Sequence, residues 1–387
     1  MKPVRLGWLL PVIWVAILIS GCQTPSIEEA AIPSPEPSPT VEFTITPTPP
    51  AATALPVLVA ATQPSPAPTP QPVYTAITSQ NAARLALLKA IEFGPWSQIT
   101  SLEWAPDGKY LAVSAGNQVF LLDPISWENM DRVDVGASSP GLAASPDSRY
   151  LAAASRDGRL TVWEIGGTSS LRFSMVYTLE VHRKGANQAA FSPSGEWLAS
   201  GGNDALARVR RLEDGEELAQ IIGGSYAVAD LAFSPDGEWL AIANSSLIRL
   251  RRPDSGVMGL TLQAEQPLFC LEFSPDGRWL AAGDSANQVL LWELQRDAAV
   301  QVVGEHSGQP GTVEALVWQI DFNPEGNLLA SAGGDGAVQI WELTAGESLA
   351  ELGGHIGAAT SARFSPDGLW LATGDLGGNL RIWGVAE

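Results

Sequence analysis

Few side chains in this sequence could do covalent or metal chemistry. Its 387 residues include three histidines, His182, His306 and His355, and two cysteines, Cys22 and Cys270. A histidine can serve as a metal ligand or a base, and a thiolate as a nucleophile. The spacing argues against both uses. The histidines share one register of a repeat described below, which suits residues that fix a turn, and no Cys/His spacing matches a zinc site. Cys270 lies in an alternating stretch, Phe269-Cys270-Leu271-Glu272-Phe273, and reads as a small buried hydrophobe. The sequence has no paired carboxylates set apart from the repeats, no phosphate loop and no nucleophile elbow. No catalytic residue, metal or other cofactor is therefore expected.

Two groupings stand out as binding chemistry. Arg208, Arg210, Arg211, Arg249, Arg251 and Arg252 form a candidate basic stripe that could receive a carboxylate, a sulfate or an acidic partner segment. Asp204, Glu213, Asp214, Glu216 and Glu217 lie near enough in sequence to pair with it locally instead. The second grouping is Trp96, Arg183, Lys184, Tyr226 and Gln309, the last within an insert over residues 307–315. Trp, Tyr and Arg are the side chains that dominate contact energies when desolvated at an interface.

Composition limits what those groups can meet. The formal charge is −20, and loss of an N-terminal segment holding Lys2 and Arg5 leaves 20 basic against 42 acidic residues. Such a chain repels nucleic acid on average. Its start, Lys2 and Arg5 followed by an apolar run from Leu6 to Ile19, reads as an export signal over residues 1–21. The run is shorter than the ~20 residues that a spanning helix needs. It ends in Ile19-Ser20-Gly21-Cys22, which resembles the bacterial lipobox. That resemblance implies that the Cys22 thiol takes a diacylglyceryl group and becomes the mature N-terminus, lipid-anchored to a bacterial membrane on its extracytoplasmic side.

Residues 22–83 read as a spacer. Fourteen of the 29 prolines fall between residues 23 and 83, with no basic residue before Arg84. Prolines remove backbone donors and favour extended geometry, so the segment builds no core and reaches at most roughly 190 Å at ~3.1 Å per residue.

From residue 84 to 387 the sequence repeats. The unit is FSPDG followed by a short apolar strand, and it occurs seven times, around Pro106, Pro146, Pro193, Pro235, Pro275, Pro324 and Pro366, at intervals of 40 to 49 residues. Ser-Pro-Asp-Gly is a tight turn, with proline fixing φ at its second position and glycine closing it. Alternating strands flank it, as in Trp318-Gln319-Ile320-Asp321-Phe322 before one turn and Leu329-Ala330-Ser331 after it. A third strand follows, such as Val338-Gln339-Ile340-Trp341. A period near 40 suits units of four short strands whose faces only a neighbouring unit can cover, and such units close into a ring.

These features resemble the WD-repeat propellers, over about three quarters of the chain. The family pattern has a Gly-His pair before the first strand, Ser on the second, Asp in the next turn and Trp-Asp closing the third. Copy six matches it best, with His306, Ser331, Asp335 and Trp341, and the resemblance implies a buried relay from Asp to His to Ser to Trp. Departures are frequent. Trp is never followed by Asp, Arg210 and Arg251 stand where copies three and four need Trp, and copy seven has Thr373 for Ser and Gly377 for Asp. The full relay is therefore expected in copy six alone. Copy seven ends at Trp383 without room for a fourth strand, so residues 84–93 are expected to supply it and close the ring.

The expected fold is all-β, a seven-bladed propeller. The expected function is a membrane-anchored, non-catalytic, monomeric scaffold that binds an envelope protein or peptide through the face carrying Trp96, Arg183, Lys184, Tyr226 and Gln309. Two other readings stay open: a propeller hydrolase or lyase, which an acidic cluster or metal site in the channel mouth would favour, and a module for a carbohydrate or other small ligand, which a concave, aromatic-lined pocket with convergent polar groups would favour. Fold does not choose between them.

Overall fold

The computed structural model describes residues 73–386 apart from 95–96, 168–169, 296–298, 310 and 344–345. Cys22, the export signal, residues 22–72 of the spacer and Trp96 lie outside the described residues. Within them the chain is all-β with two 3₁₀ turns, Ala82–Arg84 and Val313–Ala315. Each sequence copy forms an antiparallel sheet, and the seven sheets are the blades of a propeller. Blade six shows the plan, with Val317–Phe322 innermost, then Leu328–Gly333, Val338–Glu342 and Glu347–Leu352 outermost.

The apolar core lies between the blades. Each of seven clusters of buried side chains is shared by two consecutive blades. Blades four and five, for example, are joined by Leu250, Leu262, Leu271, Phe273, Leu280 and Trp292. Blades converge toward the ring axis, so one position in the middle of each second strand holds only a small side chain. Ala112, Ala152, Ala199, Ala241, Ala281, Ala330 and Ala372, one per blade, are each fully buried there. A larger residue at those points would overpack the site.

The SPDG turns form as their residues require. In copy four Gly237 N donates to Ser234 O at 2.8 Å, Glu238 N to Asp236 Oδ1 at 2.9 Å and Trp239 N to Ser234 Oγ at 3.0 Å. Gly237 has φ +72°, a left-handed conformation that glycine adopts without steric cost. The turn thus ties up its Ser hydroxyl and one oxygen of its Asp carboxylate.

The ring closes as the sequence requires. Ala86–Glu92 pairs with Asn379–Ala386, the third strand of blade seven, from Ala86 opposite Gly384 to Glu92 opposite Asn379. One boundary needs correction. Residues 73–83, assigned to the spacer by composition, belong to the propeller: Tyr74–Thr75 pairs with Val385 and Ala386, and Ile77 and Ala82 are buried in the cluster between blades six and seven. Pro72 is the last of the spacer prolines, and the apolar residues after it have a surface to cover.

Candidate functional site

All seven innermost strands run the same way, so the loops entering them gather on one face of the ring and the SPDG turns on the other. Arg183, Lys184, Tyr226 and Gln309 stand exposed in loops that enter the innermost strands of blades three, four and six, Tyr226 at 60% exposure. The insert at 307–315 is pinned there. Asn287 Nδ2 donates to Gly308 O at 2.5 Å, Asn287 N to Ala315 O at 2.7 Å, and Ser307 N to Asp335 Oδ2 at 2.9 Å. At the channel mouth on this side Phe269 and Trp318 lie 6.2 Å apart. The sequence missed this pair, since both occupy innermost strands rather than loops.

The relay is complete in copy six. Trp341 Nε1 donates to Ser331 Oγ at 2.8 Å, Ser331 Oγ lies 2.8 Å from His306 Nε2, and His306 Nδ1 lies 3.2 Å from Asp335 Oδ1. An acceptor carboxylate at Nδ1 places the ring proton there, so Nε2 accepts from the serine hydroxyl. Burial works to raise the Asp335 carboxyl, but bonds from His306 and from Ser307 and Ala337 N–H outweigh it and hold it well below the usual carboxylate range. Copy three keeps Asp204, His182 and Ser200 but has Arg210 in place of the tryptophan. Copy seven keeps the other end. Thr373 replaces serine fully, accepting from Trp383 Nε1 at 2.9 Å and lying 2.8 Å from His355 Nε2. Its carboxylate is Asp375, which turns to Ile356 N, Asn379 and Arg381 instead, and burial lowers the His355 pKa to about 4.

Five of the six arginines of the basic stripe are held by local partners. Arg208 pairs with Asp204 at 2.9 Å, Arg210 with Glu217, Arg211 with Asp214 at 2.7 Å and Glu216 at 2.8 Å, and Arg252 with Glu238 at 3.2 Å. Arg249 donates to Gly223 O at 2.5 Å. Arg251 is half-buried at the position of the missing tryptophan, with no partner for its Nε.

The channel holds a second charged group. One position per copy, the residue before the last of each innermost strand, faces its middle: Glu103, Ala143, Ala190, Ala232, Glu272, Asp321 and Arg363. Blades five, six, seven and one are thus charged, and blades two to four present only alanine. Arg363 reaches Asp321 at 2.9 Å, Glu272 at 3.2 Å and Glu103 at 3.7 Å. One guanidinium can balance one carboxylate. Asp321 also accepts Phe364 N–H at 2.7 Å and is the best placed to ionise. Burial pushes Glu272 up to about 8 and Glu103 to about 7, against the opposing pull of Arg363. Above this ring Asp230, raised by burial to about 6, accepts from Gln188 Nε2 at 2.7 Å and Leu271 N at 2.8 Å. Asp230, Glu103 and Asp321 each accept a backbone N–H of the next blade, so these acids staple consecutive blades. Aligning the copies on their turns exposes this position in the sequence, though not the three-way reach of Arg363.

Cys270, beside Asp230, is buried with its Sγ 3.5 Å from Val317 O, and burial drives its thiol far above the reactive range. Among the described residues no His, Cys, Asp and Glu group is arranged to hold a metal ion.

A closed ring of seven antiparallel blades, of which the sixth and seventh carry the Ser/Thr, His and Trp hydrogen-bond pattern, defines a WD-repeat propeller. The family model described as "WD domain, G-beta repeat" matches seven times, at residues 89–123, 139–164, 173–210, 215–250, 257–293, 301–342 and 346–384, which is more than half of the chain. The chain belongs to the WD-repeat family. It is similar to Cell division cycle 20.1, cofactor of APC complex, of Arabidopsis thaliana, at 31% identity over 119 residues, 30% of this chain and 24% of that protein. It is also similar to a subunit of chromatin assembly factor 1 of Gallus gallus, at 40% identity over 70 residues, 18% of this chain and 12% of that protein. The chain thus spans less than a quarter of the length of either relative.

Proposed function

We propose that this protein is a lipid-anchored, extracytoplasmic scaffold that presents the loop face of its propeller to an envelope protein or peptide. The observation that carries the reading is the contrast between the two faces. The SPDG turns tie up the Ser hydroxyl and one Asp carboxylate oxygen within the turn and repeat nearly unchanged. The loop face differs from blade to blade, with Arg183, Lys184, Tyr226 and Gln309 exposed and both ends of the 307–315 insert hydrogen-bonded to the ring. Rigid amphipathic side chains cost little entropy to dock and discriminate between partners. The two relatives are named as a cofactor of a complex and a subunit of an assembly factor, which fits a binding role.

The channel acids bear on the rival reading of a propeller enzyme. They hold Arg363 and the backbone N–H groups of neighbouring blades, so they are occupied by blade stapling. This favours binding over catalysis. The anchor rests on Lys2, Arg5, the apolar run and Ile19-Ser20-Gly21-Cys22.

Two experiments test the proposal. In the producing bacterium, Cys22→Ser should abolish fatty-acid labelling and release the protein from membranes, and unchanged labelling would sink the anchor. Capture of envelope proteins by the chain should be lost in a variant carrying Trp96→Ala, Arg183→Ala and Tyr226→Ala with an unchanged melting temperature. Equal capture by wild type and variant would place the binding surface elsewhere.

A further inference from the structure

The turn between the third and fourth strands closes alike in several blades, with an N–H donating to the carbonyl four residues back. Gly215 donates to Arg211 O at 2.9 Å, Gly256 to Arg252 O at 2.7 Å and Gly346 to Glu342 O at 2.9 Å, with φ of +72°, +69° and +65°. Blade one makes the same bond from Trp127 to Asp123 O at 2.7 Å, with φ +60°. A bulky L-residue in the left-handed region is a strained choice where glycine costs nothing. Strain of this kind is held where the side chain has a use.

That side chain enters a row of aromatic rings. Trp127 meets Trp104 edge-on at 6.1 Å and Trp370 at 6.2 Å, and Trp370 meets Tyr74 at 4.5 Å. Together they line an open cleft of about 1040 Å³ on the SPDG face, outside the channel, where blades seven, one and two meet. Lys89 and Lys109, two of only four lysines in the chain, stand at its rim, as do Asp123 and Asp367. Lys89 is exposed and makes no ion pair among the described residues, while Lys109 lies 2.7 Å from Asp107. In both rim aspartates Oδ1 holds the turn, accepting Ser126 N at 2.7 Å in Asp123 and Leu369 N at 3.0 Å in Asp367. Their Oδ2 atoms accept no hydrogen bond among the described residues.

We propose that this cleft is a binding site for an oligosaccharide. The C–H face of a pyranose packs on an indole or phenol ring, and its hydroxyls both donate and accept. The rim offers both halves of that exchange, ammonium donors and free carboxylate acceptors, around an aromatic floor. A proline-rich peptide would also suit the aromatic rings, but with few N–H groups it leaves the two Oδ2 atoms without donors. The volume lies just above the ~300–1,000 Å³ range of small-ligand clefts, which suits several sugar rings rather than one. The site is on the face opposite the proposed protein-binding loops, and the two proposals stand independently.

The test titrates the full chain, in a detergent without sugar headgroups, with cellohexaose, chitohexaose, maltohexaose, an acidic hexauronate and a proline-rich decapeptide, by calorimetry and tryptophan fluorescence. Saturable binding of at least one saccharide is expected, at least tenfold weaker in Trp127→Gly, a substitution that the backbone of blades three, four and six already accommodates. Lys89→Ala, at an exposed strand position, keeps the fold whatever Trp127→Gly does to it and should weaken the same saccharide at least threefold. The proposal is overturned if no saccharide binds, if only the peptide binds, or if both variants bind as wild type.

Discussion

Replacing Glu272 by glutamine tests whether the channel ring holds protons at neutral pH. Burial raises this carboxyl from 4.5 to about 8. A group whose pKa is higher in the folded state favours folding in full below its unfolded pKa and loses that contribution as pH rises through the folded value. The window here runs from about pH 4.5 to about pH 8. At about 1.4 kcal/mol per pKa unit the full shift would amount to roughly 4–5 kcal/mol. The side chain is 31% exposed to the channel, and solvent screening reduces the expected effect to about 2 kcal/mol. Glutamine keeps an oxygen for Arg363 Nη1, now at 3.2 Å from Glu272 Oε2, and cannot ionise. Urea unfolding at pH 5, 7 and 8.5 should therefore find wild type and Glu272→Gln alike at pH 5, with the variant about 2 kcal/mol more stable at pH 8.5. Glu103 and Asp230 still titrate in the variant, so its pH slope becomes shallower without vanishing. Parallel loss of stability in the two proteins between pH 5 and pH 8.5 would refute the assignment of a proton to Glu272.

Trp341→Ala should cost about 3 to 5 kcal/mol through loss of a large buried aromatic side chain, and Ser331→Ala about 1 to 3 kcal/mol by leaving Trp341 Nε1 and His306 Nε2 unpaired; urea unfolding of both checks this, and losses below about half a kcal/mol would show that the relay does not hold blade six. Deleting residues 84–93 should open the ring and cost several kcal/mol, because Ala86–Glu92 is the outer strand of blade seven, and an unchanged melting temperature would count against the closure. Arg363→Met should cost about 3 to 5 kcal/mol and cost more at pH 8.5 than at pH 5, since Glu272, Glu103 and Asp321 lose their shared cation as they ionise; a loss independent of pH would mean that packing alone places the arginine.

The fold was legible in the sequence because each blade is a local object. A Ser-Pro-Asp-Gly turn and the short apolar strands on either side of it lie within one copy, and the period of 40 to 49 residues forces the copies to cover one another. The closing strand was legible because residues 84–93 resemble the outer-strand segments between copies. The copy-six relay was legible because its four side chains keep fixed registers. Residues 73–83 were not, because a proline-rich composition hides the few apolar residues, Ile77 and Ala82 among them, that a blade surface can bury.

What the tertiary structure decided are the contacts that cross blades. Arg363 meets Glu103 and Glu272 only because ring closure brings copies seven, one and five around one axis. Trp104, Trp127, Trp370 and Tyr74 come from four separate stretches of chain, and no periodicity relates them. Even the strain at Trp127 is invisible without coordinates, since only the shared turn geometry shows that tryptophan occupies a glycine's place. Local sequence fixes turns and strands through short-range sterics and hydrogen bonds. The charge balance in the channel and the aromatic cleft depend on distances between copies, which exist only once the ring is shut.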